Sequence, residues 1–254
     1  MSTPDTYAPD VRAEAERLAH AAADGRLPAR LMGGLAIWLR CPTVRATPYA
    51  RDYHDLDLVA LGRGRRQVET FLQGSGYMGE RLFNAIHGAQ RMVFAAAAGY
   101  SVDVIFDEMR MSHRIDFRNR LNSPTGTLEL ADLLLTKLQI WEINEKDLGD
   151  AACLLADHPL GEGRADPEAI DLRRLRSALS VDWGLCRTTT RNLGQIADLW
   201  RRKPAADPAH DVEAQVNALL REIETVPKSL GWRARALTGE RVRWYETPEE
   251  VRPQ

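Results

Sequence analysis

Two aspartates one residue apart, Asp55 and Asp57, stand in an otherwise apolar run, His54-Asp-Leu-Asp-Leu-Val-Ala-Leu61. Read as a strand, the run turns both carboxylates to one face and Leu56, Leu58 and Ala60 to the other. Carboxylates ~6–7 Å apart on one strand face can grip a divalent cation between them. A buried strand has little other use for them, because an unpaired carboxylate is costly to take out of water. The competing reading is an edge strand with a solvated outer face, and the triplet alone does not decide between the two. Met32-Gly33-Gly34 precedes the pair, and Asp103 falls near the middle of a later apolar stretch, Ser101-Val-Asp-Val-Ile-Phe106.

The hydrophobic pattern predicts the elements that carry these residues. Residues 9–25 read as a helix with Val11, Leu18 and Ala22 on one face, ended by Gly25. Leu31-Met32 reads as a short strand running into Gly33-Gly34, and Leu35–Arg40 as a helix stopped by Pro42. Residues 41–53 form a loop. Gly62-Arg-Gly-Arg-Arg66 opens a helix that buries Val68, Phe71 and Leu72 and closes at Gly74-Ser-Gly76. Arg91–Ala96 and Ser101–Phe106 read as a hairpin, with Asp103, Ile105 and Asp107 on one face. From Ser123-Pro124 the pattern turns helical. Leu128–Glu142, with Thr127 as a cap, spaces Leu130, Leu133, Leu134, Leu138 and Trp141 by threes and fours, and Asn144 caps Glu145–Ala156. Asp157–Asp166 reads as a polar linker. Helices follow near 167–180, 186–202 and 210–226, the first begun by Asp166-Pro167 and the last ended by Pro227. Arg233–Gln254 reads as a polar tail anchored only by Trp244-Tyr245.

The chain has 254 residues, 44% of them apolar, enough for one large domain or two modest ones. A net charge of −2 provides no global drive toward nucleic acid and leaves only local patches. Its cations are overwhelmingly arginine, the lysines being Lys137, Lys146, Lys203 and Lys228. Lys137, on the apolar stripe of its helix, is therefore conspicuous. Either its stem packs while the ammonium reaches water, or it is a phosphate-binding cation. Cys41, Cys153 and Cys186 are odd in number and lack metal-ligand spacing, which points to reduced thiols in a cytoplasm. No signal peptide or membrane span is expected.

Taken in order, Met32-Gly33-Gly34, Asp55-Leu56-Asp57 and Asp103 resemble the nucleotidyltransferase superfamily typified by DNA polymerase β. Arg51-Asp-Tyr-His54-Asp55-Leu-Asp57, followed by Lys137 and then Lys146-Asp147-Leu148-Gly149-Asp150, is similar to AbiEii-type minimal nucleotidyltransferases. The resemblance spans about residues 27–157. It implies an α+β fold, with a small mixed β-sheet nucleotidyltransferase domain over residues 1–125 and a mostly helical domain over 126–254. It also implies transfer of a nucleoside monophosphate from an NTP to a hydroxyl. Gly33 and Gly34 would admit the triphosphate to the backbone. Asp55, Asp57 and Asp103 would hold two Mg²⁺ ions, or Mn²⁺, with Asp103 the candidate base. Arg51, Lys137 and Asp147 would serve the nucleotide. Arg51 could instead neutralise Asp55 and Asp57, Asp147 could be a first-turn acid favouring the helix dipole, and Asp150 a solvated residue. His54, facing away from the acids by parity, is expected to pack or to support them from behind.

Two departures stand out. Twenty residues separate Gly34 from Asp55, an interval swollen by the 41–53 loop, and Leu35 leaves no serine hydroxyl after the glycines. An RNA 3′ end such as that of tRNA is the favoured acceptor, as in toxin members of the family, which would bring an antitoxin protein as partner. An aminoglycoside-like small molecule or a protein side chain is the alternative. Arg173-Arg-Leu-Arg176 and Arg201-Arg-Lys203 would offer an RNA surface or would be solvated helix faces. A reading of another class is a non-catalytic nucleotide-binding or interaction protein.

Overall fold

The computed structural model describes residues 10–163 and 165–247. Pro9, Arg164 and the tail beyond Thr247 lie outside the described residues. The first helix, α1 (Val11–Ala23), is capped by the Asp10 side chain and buries Ala15, Leu18 and Ala22. β1 (Ala29–Met32) runs directly into α2 (Gly33–Arg40), with no side chain capping the helix start. After the 41–53 segment comes β2 (Asp55–Ala60), then α3 (Arg65–Gly74), β3 (Met78–Gly79), α4 (Arg81–His87), β4 (Arg91–Ala95) and β5 (Ser101–Phe106). These strands form one mixed sheet in the order β1-β2-β5-β4-β3, with β2 antiparallel to β1 and parallel to β5. The acid-bearing strand is therefore interior. The solvated edge strand is excluded, and Val59 and Ala60 are buried on opposite faces of β2.

β6 (Glu108–Arg110) and β7 (Arg114–Asp116) make a small ribbon, after which the backbone of Gly126 and Leu128 bonds to Leu31 along the free side of β1. Then come α5 (Leu130–Leu138), α6 (Glu145–Asp157), the strand pair β8 (Leu160–Gly161) and β9 (Ile170–Asp171), and the helices α7 (Leu172–Leu179), α8 (Trp183–Arg202), α9 (Val212–Thr225) and α10 (Leu230–Thr238). The architecture is α+β, a small mixed sheet followed by a helical region. A single apolar core runs from Ala15 to Leu219 and crosses position 125 without a break.

Every residue of α5 is buried, so its two charged side chains need partners. Asp132 receives Arg120 Nε at 2.8 Å and Arg174 Nε at 2.6 Å. Lys137 meets Asp147 Oδ1 at 2.6 Å and Asp150 Oδ2 at 2.9 Å. The Lys137 ammonium is bound to two carboxylates rather than extended into water, which removes its snorkelling reading.

Several sequence expectations are corrected. α5 starts at Leu130 with Glu129 at the cap position, while the Thr127 hydroxyl donates to Leu128 O instead. It ends at Leu138, since Gln139 is buried with its Oε1 accepting from His113 N. Trp141 thus belongs to the α5–α6 turn. α7 begins at Leu172, capped by Asp171, because residues 167–169 lead into the β8–β9 pair. Two helices escaped the pattern, α4 and α10, both short and with large apolar side chains facing solvent. Asp107 leaves the face of Asp103, since at φ 63° it has turned out of β5 and accepts a bond from Gly62 N.

Candidate functional site

The sheet register puts the acids together. Met32 pairs with Asp57 across β1 and β2, and Asp57 pairs with Asp103 across β2 and β5. Asp55 lies two residues earlier on the same face, exposed, and accepts a 2.8 Å bond from Ser101 Oγ. Gly33 then turns the chain at φ 70°, a left-handed conformation that glycine adopts freely. A β-carbon placed there would stand 2.0 Å from Asp57 Oδ2 and 2.9 Å from its Cγ. The backbone of the Gly-Gly turn therefore lies directly against the Asp57 carboxylate. Burial first, then the Asp103 and Asp55 carboxylates, push the Asp57 pKa up to about 6.

A second group of charges borders the first. A β-carbon on Gly34 would lie 2.7 Å from an Arg51 nitrogen, and Arg51 rests over the Tyr53 ring at 4.2 Å. Arg51 Nη2 binds both oxygens of Asp150, at 2.8 and 2.7 Å. Asp150 also receives Lys137, which is shared with Asp147. Asn144 completes the network, accepting from Asp147 N and donating to Asp147 Oδ2 at 2.8 Å. Burial works against charge on Lys137, but the two carboxylates outweigh it and leave its pKa raised. Burial likewise opposes the Asp147 carboxylate, and Lys137 overrides it to hold Asp147 below the usual range. The Lys137 charge is also felt at Asp57, which it works to lower.

The residues singled out in the sequence, Gly33, Gly34, Arg51, Asp55, Asp57, Asp103, Lys137 and Asp147, thus fall into one connected neighbourhood. Some partners differ from expectation. Arg51 neutralises Asp150, not Asp55 or Asp57. Asp150 is 1% exposed and is the junction of the network, where a solvated residue was expected. Its signal in the sequence was its place one helical turn after Asp147 on a helix whose following residues are apolar. His54 is exposed, because it precedes the first residue of β2. Sequence reasoning also missed Arg91, whose Nε lies 2.9 Å from both oxygens of Asp103 and whose Nη2 makes a further close contact with Oδ2. The Asp103 bond and charge raise the Arg91 pKa. The 41–53 segment is anchored rather than loose. Thr43 N bonds Asp157 Oδ2 at 2.9 Å, and the Tyr49 hydroxyl donates to Lys203 O at 2.6 Å.

Among the described residues, no three acidic, histidine or cysteine side chains stand close enough to hold a metal as they are placed. The donors nevertheless suit a hard divalent cation. Three carboxylates share one sheet face, and their mutual repulsion at Asp57 is what a cation relieves. Asp103 would have to trade a bond to Arg91 for it.

Replacement of Gly33 by alanine tests the turn. Gly33→Ala is expected to cost about 2–4 kcal/mol, from the left-handed backbone and the collision with Asp57. Thermal denaturation should show the loss, while a wild-type melting temperature would contradict the close approach.

No helix among the described residues is long and apolar enough to cross a membrane. No protein-family model matches the chain, and no curated protein matches it. Among solved structures, the crystal structure of JHP933 from Helicobacter pylori aligns over 91% of this chain and 98% of that one, with 11% identity and a TM-score of 0.33. At that level of likeness, function has to be argued from the site.

Proposed function

We propose that this chain is a metal-dependent nucleotidyltransferase that moves a nucleoside monophosphate from an NTP to a hydroxyl acceptor, with an RNA 3′ end favoured. The observation that carries this reading is the register that pairs Asp57 with Asp103, with the Gly33 turn lying against the Asp57 carboxylate. A turn without side chains, pressed against paired carboxylates, suits a triphosphate bridged to protein by cations. Asp55, Asp57 and Asp103 would hold Mg²⁺, which when bound neutralises phosphate oxygens and activates the acceptor hydroxyl. In the reaction the hydroxyl oxygen bonds the α-phosphorus, the bond to pyrophosphate breaks, and the hydroxyl proton passes to a base. Asp103 fills that role once Arg91 yields one of its bonds. Arg51 is oriented by Asp150 and Tyr53 beside Gly34, where a guanidinium meets a phosphate. Lys137 spends two of its three N–H groups on carboxylates, so its part is to fix Asp147 and Asp150 and to present the third.

A second reading, nucleotide binding without turnover, is favoured by the Arg91 clasp on Asp103, which occupies both oxygens of the candidate base. Incubation with labelled NTPs, Mg²⁺ and total tRNA separates the two. Transfer of label that depends on Asp55 and Asp57 supports the enzyme. Mg-NTP binding that depends on them without any transfer supports the second reading, and independence from both acids defeats each.

A further inference from the structure

We propose that the segment 226–247, together with Trp141 and Arg191, forms a docking surface for a single-stranded polynucleotide, built on a stack of guanidinium and aromatic groups. The arginine-rich segments marked in the sequence are largely paired with carboxylates. Arg174 is bound to Asp132, Arg176 to Glu162 and Glu222, Arg201 to Asp198 and Glu213, and Lys203 to Glu145. Of the same segments, Arg173 comes within 3.6 Å of Glu162 and Arg202 donates to Asp198 O, so most of this charge is already matched by a carboxylate.

Residues 226–247 differ. Within 226–247 the cations Lys228, Arg233, Arg235, Arg241 and Arg243 outnumber the acids Glu240 and Glu246, in a chain whose total charge is −2. Glu240 is itself engaged by Arg187. Four of the six tryptophans, Trp141, Trp183, Trp232 and Trp244, gather at or beside this segment. Arg191 lies over Trp141 at 4.3 Å, Trp141 stacks on Tyr245 at 4.7 Å and 17°, and Arg243 lies over Tyr245 at 4.7 Å. Trp244 meets Trp141 edge-on at 4.8 Å and fixes the stack from the side.

Both guanidiniums are exposed. Arg191 donates to Trp141 O and Arg243 to the Thr247 hydroxyl, with no carboxylate on either among the described residues. A guanidinium held flat on a ring keeps its plane and its remaining N–H donors fixed at little further entropic cost. Such groups bind phosphodiester oxygens at their edges and stack unpaired bases on their faces. An acidic protein would use the charge but not the planes.

The placement matters because Trp141 belongs to the turn joining α5 to α6, the helices that carry Lys137, Asp147 and Asp150. Trp141 stands three residues before Asn144, which bonds Asp147. The proposal deepens the reading above, on which it rests for its biological role, by naming where the acceptor docks.

The test uses the full chain and a fluorescently labelled oligouridylate of 12 nucleotides, followed by anisotropy from 50 to 300 mM salt. Wild type is expected to bind with affinity that falls steeply with salt. The pair Arg191→Gln, Arg243→Gln should weaken binding about tenfold and flatten the logarithmic salt slope by about 1.4, the share of two phosphate contacts on a single strand. Arg243→Gln alone should give about half of that slope change and serves if the pair destabilises the fold. Arg201→Gln, in a neutralised pair, should bind as wild type. Binding unchanged in the variants, absence of binding by wild type, or displacement of the RNA by polyglutamate at equal charge would each overturn the proposal. Asp57→Asn should bind the oligonucleotide as wild type does. If it does so and transfer proves independent of Asp57, the catalytic reading falls while this one stands.

Discussion

Asp57→Asn is expected to lower nucleotidyl transfer by a factor of about 10³ or more and, at neutral pH, to make the fold more stable. The two effects share one cause. Burial desolvates Asp57 and the Asp103 and Asp55 carboxylates crowd it, so its charge is held at high cost and its pKa is raised from 3.8 to about 6. Between those two pH values the folded chain keeps a proton that the unfolded chain has lost. Stability therefore falls as pH rises from about 4 to about 6 and levels off above, because the folded state binds the extra proton only below its own pKa. Asparagine removes the charge and keeps the shape, for a gain on the order of 2 kcal/mol at pH 7. Thermal melts across pH should show the wild-type slope vanish in the variant. Mg²⁺ should raise the melting temperature of wild type more than that of the variant, since only wild type offers the full set of acids. A variant less stable than wild type at pH 7 would mean that Asp57 is already compensated in the fold.

Asp150→Ala is expected to be the most destabilising single change near the site, by about 3–5 kcal/mol, because it strips a partner from two cations at once. Arg51 loses both of its carboxylate bonds and Lys137 one of two. Lys137 is 7% exposed, so water replaces little of the lost bond. The melting temperature should fall by roughly 10 °C at this chain length. Adding Lys137→Met to the variant should recover part of the loss, since the stranded buried charge then disappears. Additive destabilisation would show that the two side chains do not act as a pair. Activity should fall as well, because Arg51 beside Gly34 loses the carboxylate that aims it.

The acid face was legible in the sequence because strand parity is strict. Asp55, Asp57 and Asp103 keep their alternation whatever surrounds them, and the hairpin that presents Asp103 follows from two apolar runs around a glycine turn. That β2 is interior was not legible, since its flanks on both sides are set by distant segments, Ala29–Met32 and Ser101–Phe106. The Lys137 stripe was visible, but its answer in Asp150 depends on how α5 packs against α6. The same holds for Arg91, whose value comes from a cross-strand diagonal rather than from neighbours in sequence. Helices α4 and α10 escaped because their exposed Leu82, Ile86, Leu230 and Leu237 break the amphipathic pattern that marks a helix against a core. Trp244-Tyr245 read as a lone anchor for the same reason. The rings that meet it, Trp141 and Trp183, lie about 100 and 60 residues earlier.

Under the proposed function, the Asp55, Asp57 and Asp103 face transfers a nucleoside monophosphate. The most direct measurement follows two labels on the same NTP, one on the α-phosphate and one on the γ-phosphate, with Mg²⁺, total tRNA and either wild type or Asp57→Asn. Wild type is expected to carry the α-label into the acceptor and to release the γ-label in pyrophosphate, and Asp57→Asn to do neither. Appearance of the γ-label in the acceptor, or equal α-label transfer by both proteins, would contradict it.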